Sequence, residues 1–263
     1  SLAASISAED VRRLKAKYPG LPVVTYVNCY ADVKAESDYC CSSGNALAVV
    51  QALRQKGHAQ IIFLPDEYLA GNTAREAGMR ILIEDRASLE LPAAEVTYPV
   101  AQPPPAVRTG EGACATIRPH DHEPLMIGWR GRCEVHERFT VEDITNARAQ
   151  FPDVVVLAHP ECSPAVIQAA DFSGSTTQML RHVEGVEKGR LLLLTECSMG
   201  DNIASRAPQR EILRICSIRC PHMGEITLEE TLESLTQERY VIEVPAEIAA
   251  RARVALDRMI SIG

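Results

Sequence analysis

Short apolar runs recur along this chain between longer stretches of helical periodicity. Pro22–Val27, Ile61–Leu64, Leu125–Trp129, Val154–Ala158 and Leu191–Leu194 are largely continuous, not alternating, in hydrophobicity. A strand buried on both faces, as in a parallel sheet covered by helices, reads this way. Between them, Ala8–Lys17, Ala46–Gln55, Val141–Gln150 and Ser163–Ala170 are amphipathic at helical spacing. The alternation predicts an α/β fold with parallel sheets. Two further helices are predicted after Cys220, over Thr227–Gln237 and Pro245–Ile260. Thr227 with Glu230 has capping-box spacing, and Pro245 suits a first helical position. Residues 79–123 break the rhythm. Pro103-Pro104-Pro105 is rigid and extended, and Thr109-Gly110-Glu111-Gly112 is loop-like. This segment reads as a surface insertion, with Ile81–Ile83 and Val96–Tyr98 forming a small added hairpin.

Almost every predicted strand ends in polar residues: Tyr26/Asn28, Asp66/Glu67, Arg130/Cys133, His159/Glu161 and Glu196/Cys197. Ligands of parallel α/β sheets gather at the carboxyl ends of strands, so these pairs are candidate site residues. Two of them also belong to an internal repeat. Residues 33–46, VKAESDYCCSSGNA, match residues 166–179, VIQAADFSGSTTQM, at an offset of 133 (Asp38 onto Asp171). The same offset places Tyr26 on His159, Asn28 on Glu161 and Ser43 on Thr176. Each copy is a polar pair after a strand followed by a Ser/Thr-rich turn entering a helix. Such a turn offers hydroxyls and backbone N–H groups to an anion; alternatively, Ser43 and Thr176 are simple helix caps. The repeat predicts two related domains, 1–132 (with the insertion at 79–123) and 133–222, followed by C-terminal helices over 223–263.

Composition narrows the class. Of 263 residues, 46% are hydrophobic and 24% charged, which suits a globular protein and excludes a disordered one. A net charge of −8 argues against a general nucleic-acid binder. The apolar runs are too short to span a bilayer, so no membrane partner is expected. The first residues, Ser1-Leu2-Ala3-Ala4, do not read as a secretion signal, and a cytoplasmic location is expected. There are nine cysteines, at 29, 40, 41, 114, 133, 162, 197, 216 and 220, an odd number that precludes complete internal pairing. In a reducing compartment they are core thiols, metal ligands or catalysts. Cys29, Cys40, Cys41 and Cys197 read as core thiols. Cys216-x3-Cys220-Pro221-His222 has half the pattern of a zinc site without a second half. Cys133, three residues before His136, follows a strand. Thiolates scattered among strand ends suit zinc or an iron–sulfur centre, and spacing alone leaves the choice open.

Taken together, TYVNCYADVKAESDYCCSSGNA, IIFLPDEYLAG, GWRGRCEVHERFT, VVVLAHPECSPAVIQAADFSGSTTQ and CPHMGEITLEETLESL, running into VPAEIAARARVALDRM, resemble quinolinate synthase A. The resemblance covers nearly everything except residues 79–123. It implies similar three-layer αβα domains with short parallel sheets, part of a pseudo-threefold, three-domain architecture. The implied reaction condenses iminoaspartate with dihydroxyacetone phosphate, losing phosphate and water, to give quinolinate for NAD biosynthesis. A functional link to an aspartate-oxidising enzyme goes with it. The family's [4Fe–4S] cluster is held by three cysteines, one per domain, with one iron open as a Lewis acid. Carried over by motif, Cys133 and Cys220 are the implied cluster ligands, and Cys162 is not. Tyr26, Asn28, Ser43, His159, Glu161 and Thr176 are implied substrate-binding residues. Glu161 is the implied proton-transfer group, assisted by Tyr26 or His159.

The chain departs from the family in lacking the first domain and the first cluster cysteine, which belongs to an Ala-Gly-Cys-Ser-Leu-Ala-like segment. The expectation is an N-terminally truncated form that does not turn over by itself. Two rival readings are a non-catalytic α/β protein binding a phosphorylated metabolite through Ser43 and Thr176, and a zinc hydrolase built on Cys216, Cys220 and His222.

Overall fold

A computed structural model describes residues 1–90, 123–185 and 189–262. Two compact units divide the chain: Leu2–Arg132 with Ala250–Gly263, and Cys133–Ala249.

In the first unit, helix α1 (Ala8–Lys17) is opened by a capping box, Ser7 with Asp10. Strand β1 (Val23–Tyr26), helix α2 (Ala31–Ala35), strand β2 (Tyr39–Cys41), helix α3 (Ala46–Gln55), strand β3 (Gln60–Leu64) and helix α4 (Glu67–Glu76) follow, then strands β4 (Arg80–Glu84) and β5 (Leu125–Trp129). All five strands are parallel, in the order β2-β1-β3-β5-β4. β1 and β5 are buried along their whole length, the double-sided burial that their continuous apolarity predicts. Two apolar clusters are built on the sheet, one including Val24, Phe63 and Met126, the other Ile62, Ile127 and Trp129.

Ile81–Ile83 corrects the expected hairpin. The segment belongs to β4, a parallel edge strand registered on β5 from Arg80↔Leu125 to Glu84↔Trp129. Its partner is remote in sequence, so local pattern could not identify the pairing. The other half of the expected hairpin, Val96–Tyr98, lies outside the described residues. β4 is fastened at its end by Glu84, a fully buried carboxylate. Lys17 Nζ lies 2.9 Å from it, and the Tyr18 and Ser88 hydroxyls donate to its two oxygens. A buried charge is tolerable only when so paired and hydrogen-bonded.

The second unit repeats the plan. Helix α5 (Val141–Gln150) is opened by a capping box of Thr140 with Asp143. Then come strand β6 (Val155–Ala158), helix α6 (Pro164–Ala169), strand β7 (Phe172–Ser173), helix α7 (Thr176–Gly185), strand β8 (Arg190–Leu194), helix α8 (Ser198–Arg206) and strand β9 (Glu211–Arg214). The sheet is again parallel, in the order β7-β6-β8-β9. Helix α9 (Leu228–Gln237) begins at the predicted Thr227–Glu230 capping box, and Pro245 directly precedes helix α10 (Ala246–Ile260). Among the described residues, no helix is long and apolar enough to cross a membrane.

The repeat is stricter in the structure than in the sequence. In the first copy the Asp38 carboxylate accepts the Val23 N–H at 2.9 Å while Asp38 N–H donates to Val23 O at 2.9 Å. In the second, Asp171 accepts Val156 N–H at 2.8 Å and donates to Val156 O at 2.9 Å. The Ser-rich turns match as well: Ser42 N–H donates to Asn45 Oδ1 and Ser175 N–H to Gln178 Oε1, both at 2.7 Å. The same offset extends upstream to the capping residues Ser7 and Thr140.

Candidate active site

The Cys133–Ala249 unit gathers its ionisable groups at the carboxyl ends of β6 and β8. β6 runs directly into His159-Pro160-Glu161. A turn at this point is closed by Cys162 N–H donating to His159 O at 2.9 Å, and Ser163 with Pro164 then starts α6. His159 and Glu161 are 5% and 3% exposed. The second contribution comes from the segment before α5. Val135 and Phe139 are buried in the unit's core and anchor the short helical turn His136–Arg138 between them. Glu137 N–H donates to Cys133 O at 3.0 Å, which fixes the half-buried Cys133 on the same turn. The third contribution is Thr195, the residue after β8.

These segments meet at His136. Its Nδ1 lies 2.7 Å from Glu161 Oε2, and its Nε2 lies 3.0 Å from Thr195 Oγ1. The His136 ring stacks on His159 with centroids 4.4 Å apart and planes 19° from parallel. His159 Nδ1 is 3.5 Å from the same carboxylate oxygen and accepts the Glu161 N–H at 3.4 Å. Donor atoms of Cys133, His136 and Glu161 all lie within 4.8 Å of one another. They are the group among the described residues with the proximity needed to hold a metal ion.

The two histidines have opposite protonation. Burial lowers the pKa of His136, but hydrogen bonds to Cys133 and Glu161 outweigh it and hold the ring protonated, pushed up to about 10. Burial lowers His159 too, the neighbouring His136 charge lowers it further, and the attraction of Glu161 is too weak to compensate, leaving it at about 3. The site therefore holds a carboxylate beside one imidazolium and one neutral imidazole. Environments that drive paired titratable groups apart are a mark of acid–base sites. Thr195 completes the donor accounting, because protonated His136 donates from both nitrogens.

The residues expected from sequence fall out as follows. His159, Glu161 and Cys133 come together as described. Cys220 is half-buried on the loop after β9 and packs against the same apolar cluster as Cys133. Thr176 is the exposed first residue of α7, while Ser175 caps it by accepting Gln178 N–H at 3.4 Å. Tyr26, Asn28 and Ser43 belong to the other unit, at the ends of β1 and β2. Tyr26 is buried, Asn28 exposed and Ser43 half-buried. Neither Ser43 nor Thr176 is a helix cap, since Asn45 occupies the cap position of α3. Asp66 and Glu196 have local structural tasks: Asp66 accepts Leu69 N–H at 2.6 Å and Glu196 accepts Ser198 N–H at 2.7 Å.

Sequence reasoning named His136 only beside Cys133 as a metal question and gave it no role in the site, and it passed over Thr195. His136 had a signal, standing three residues after Cys133 at metal-ligand spacing. Thr195 had only its position, the first polar residue after four leucines.

The thiols divide too. Cys29, Cys40 and Cys41 are core residues, and burial pushes Cys29 and Cys40 up to about 11. Cys162 is fully buried, its Sγ 3.5 Å from Leu194 O. Cys197 departs from the expected core thiol, being disulfide-bonded to Cys216. That bond takes Cys216 out of the thiolate set of the zinc-hydrolase reading. His222 pairs instead with Glu134 at 2.9 Å.

Comparison with known proteins gives the family. The quinolinate synthetase A protein family (NadA) matches residues 1–261. Quinolinate synthase 2 of Mesorhizobium japonicum is 45% identical over 262 residues, covering 100% of this chain and 66% of that protein. The quinolinate synthase of Agrobacterium fabrum is 44% identical over 262 residues, covering 100% of this chain and 62% of that protein. For that of Caulobacter vibrioides the identity is 40% over 263 residues, covering 100% of this chain and 59% of the relative. The chain thus spans about three-fifths to two-thirds of these relatives' length. It belongs to the quinolinate synthetase A family.

Proposed function

We propose that this chain supplies part of the active site of a quinolinate synthase, which condenses iminoaspartate with dihydroxyacetone phosphate in NAD biosynthesis. The observation that carries the reading is the buried Glu161 carboxylate held between His136 and His159, with Cys133 beside it, in a chain of this family. Glu161 is the proton-transfer group. His136 keeps it oriented through the 2.7 Å contact at Oε2, and neutral His159 assists. A general base must reach the proton it removes, and a fixed carboxylate at a strand end is suitably placed to do so. Tyr26, Asn28, Ser43, His159 and Thr176 bind substrate.

Cys133 and Cys220 are the chain's ligands for a [4Fe–4S] cluster. Their chemistry fits: both are half-buried thiols on loops at the carboxyl end of a strand, packed on one apolar cluster, and soft thiolates select iron–sulfur centres. When bound, such a cluster supplies a Lewis acid. The ligand assignment is tested by iron content and visible absorbance of the protein that carries this sequence. Cys133→Ser and Cys220→Ser should each lose the cluster signal, and a normal signal in either would refute the assignment. Since the chain spans 59–66% of these relatives, the 263 residues reconstituted with iron and sulfide are expected to form no quinolinate. Turnover by that sample would contradict this part of the reading.

A non-catalytic phosphometabolite binder is the less supported alternative. The turns it would use spend the Ser42 and Ser175 N–H groups on Asn45 and Gln178, and it gives no role to the buried Glu161–His136 pair.

A further inference from the structure

Cys133 and His136 stand three residues apart on one turn, closed by Glu137 N–H donating to Cys133 O at 3.0 Å, so their side chains are neighbours. Glu161 arrives from the end of β6. A thiol, an imidazole and a carboxyl group thus converge, with donor atoms all within 4.8 Å of one another. His136 and Glu161 are 7% and 3% exposed, while Cys133 is half-buried and is the member that solvent reaches. The ring nitrogen facing Glu161 is Nδ1, 2.7 Å from Oε2, and Nε2 is engaged by Thr195 Oγ1 at 3.0 Å. A metal-binding histidine is built this way, with its second nitrogen held by an outer partner that fixes the ring. Tetrahedral zinc, with bonds of about 2.0–2.3 Å, spaces its donors about 3.3–3.6 Å apart. Widening the His136–Glu161 contact by about 0.6 Å therefore admits the ion.

We propose that Cys133, His136 and Glu161 form a mononuclear zinc site. On binding, the Cys133 thiol and the His136 Nδ1–H each give a proton to solvent, and the ion bonds to Sγ, Nδ1 and the Glu161 carboxylate. A thiolate and a carboxylate balance the dication, and the neutral imidazole adds no charge. The filled site is therefore neutral, as its buried setting requires. Thiolate, imidazole and carboxylate are all zinc donors, whereas calcium and magnesium take oxygen ligands. Three protein ligands leave the fourth position to water or a small-molecule donor. The set is distinct from Cys216, Cys220 and His222. It shares Cys133, and no second thiol, with the cluster. Its consequence rests on the function proposed above: zinc and cluster exclude each other on one chain, and zinc also withdraws Glu161 from proton transfer.

The test titrates zinc, and cobalt as its coloured substitute, into the metal-free 263-residue chain without reductant. Zinc should bind at one equivalent, and X-ray absorption at the zinc edge should show one sulfur among nitrogen and oxygen neighbours. Cobalt should give the visible bands of a four-coordinate ion together with a near-ultraviolet thiolate-to-metal band. Cys133→Ser should abolish the thiolate band. His136→Ala and Glu161→Gln should each weaken zinc binding by more than about 100-fold, above the cost of losing an outer partner alone. Cys220→Ser should leave the affinity unchanged. Absence of the thiolate band in the unsubstituted chain, or two or more sulfurs per zinc, would overturn the site whether or not the variants fold. An unchanged affinity in His136→Ala or Glu161→Gln would do the same. In the protein that carries this sequence, a full cluster signal and a zinc at this site on one molecule would overturn the exclusion. The cluster assignment needs Cys220 and the zinc site does not, so the two can fail separately.

Discussion

The two halves of the chain carry one backbone device with different chemistry on it. In both, an Asp closes the strand that leads to the polar pair, and a side-chain amide or carbonyl caps the turn that follows. At the shared positions the first copy has Tyr26 and Asn28 where the second has His159 and Glu161. The supporting turn before the first helix differs as well: His136 in the second copy falls opposite Ala3 in the first at the same offset. The ionisable cluster thus arises from substitution on a shared frame. The first copy instead spends one of its buried carboxylates, Glu84, on fastening the edge strand β4 to α1.

That contrast can be broken at several points. Lys17→Met leaves Glu84 buried without its cation, and the first unit should lose about 3–5 kcal/mol. The single tryptophan, Trp129, lies in that unit and reports its urea unfolding by fluorescence. An unchanged midpoint would mean that Glu84 is not charged or not structural. Next in size, Asp38→Ala and Asp171→Ala each orphan a strand N–H and remove a charge-assisted bond, about 2 kcal/mol apiece. Asp171 is the more exposed and should cost less. Hydrogen exchange at Val23 and Val156 separates the two effects, and protection lost in one copy only would show that the frame is not shared. Ser7→Ala and Thr140→Ala should cost about 1 kcal/mol each through their capping boxes, read by urea unfolding with circular dichroism; equal losses support the repeat.

The smallest effect is in pH. Burial pushes the Asp10 carboxyl up, but bonds from Arg86 and Ser7 prevail and hold it below its ordinary value. Its stabilisation is therefore complete above the unfolded pKa of about 4 and is lost as pH falls through the lower folded value. Asp10→Asn should flatten the acid limb of the Trp129 transition below about pH 4. An equally steep limb would assign that acid sensitivity elsewhere.

Much of this frame was legible because it rests on local signals. Ala8–Lys17, Ala46–Gln55 and Val141–Gln150 are helices at the boundaries that periodicity predicts. Strands buried on both faces announce themselves by continuous apolarity. β2 and β7 are too short for any pattern, and β9, Glu-Ile-Leu-Arg, is only partly buried at a sheet edge. α8 carries Gly200 and few apolar residues. The site was legible where one strand end supplied it, as with His159 and Glu161. It was obscure where separate segments converge, because nothing local links Thr195 to His136, and nothing in the cysteine spacing pairs Cys197 with Cys216 more than with any other thiol.

The account's central claim is that Glu161 moves a proton while the thiols hold the cluster. Glu161→Gln, made in the protein that carries this sequence, keeps the shape of the side chain and removes its charge. Quinolinate formation from iminoaspartate and dihydroxyacetone phosphate should fall by about 10²–10⁴-fold, with iron content and visible absorbance unchanged. Near-normal turnover with an intact cluster would contradict the claim.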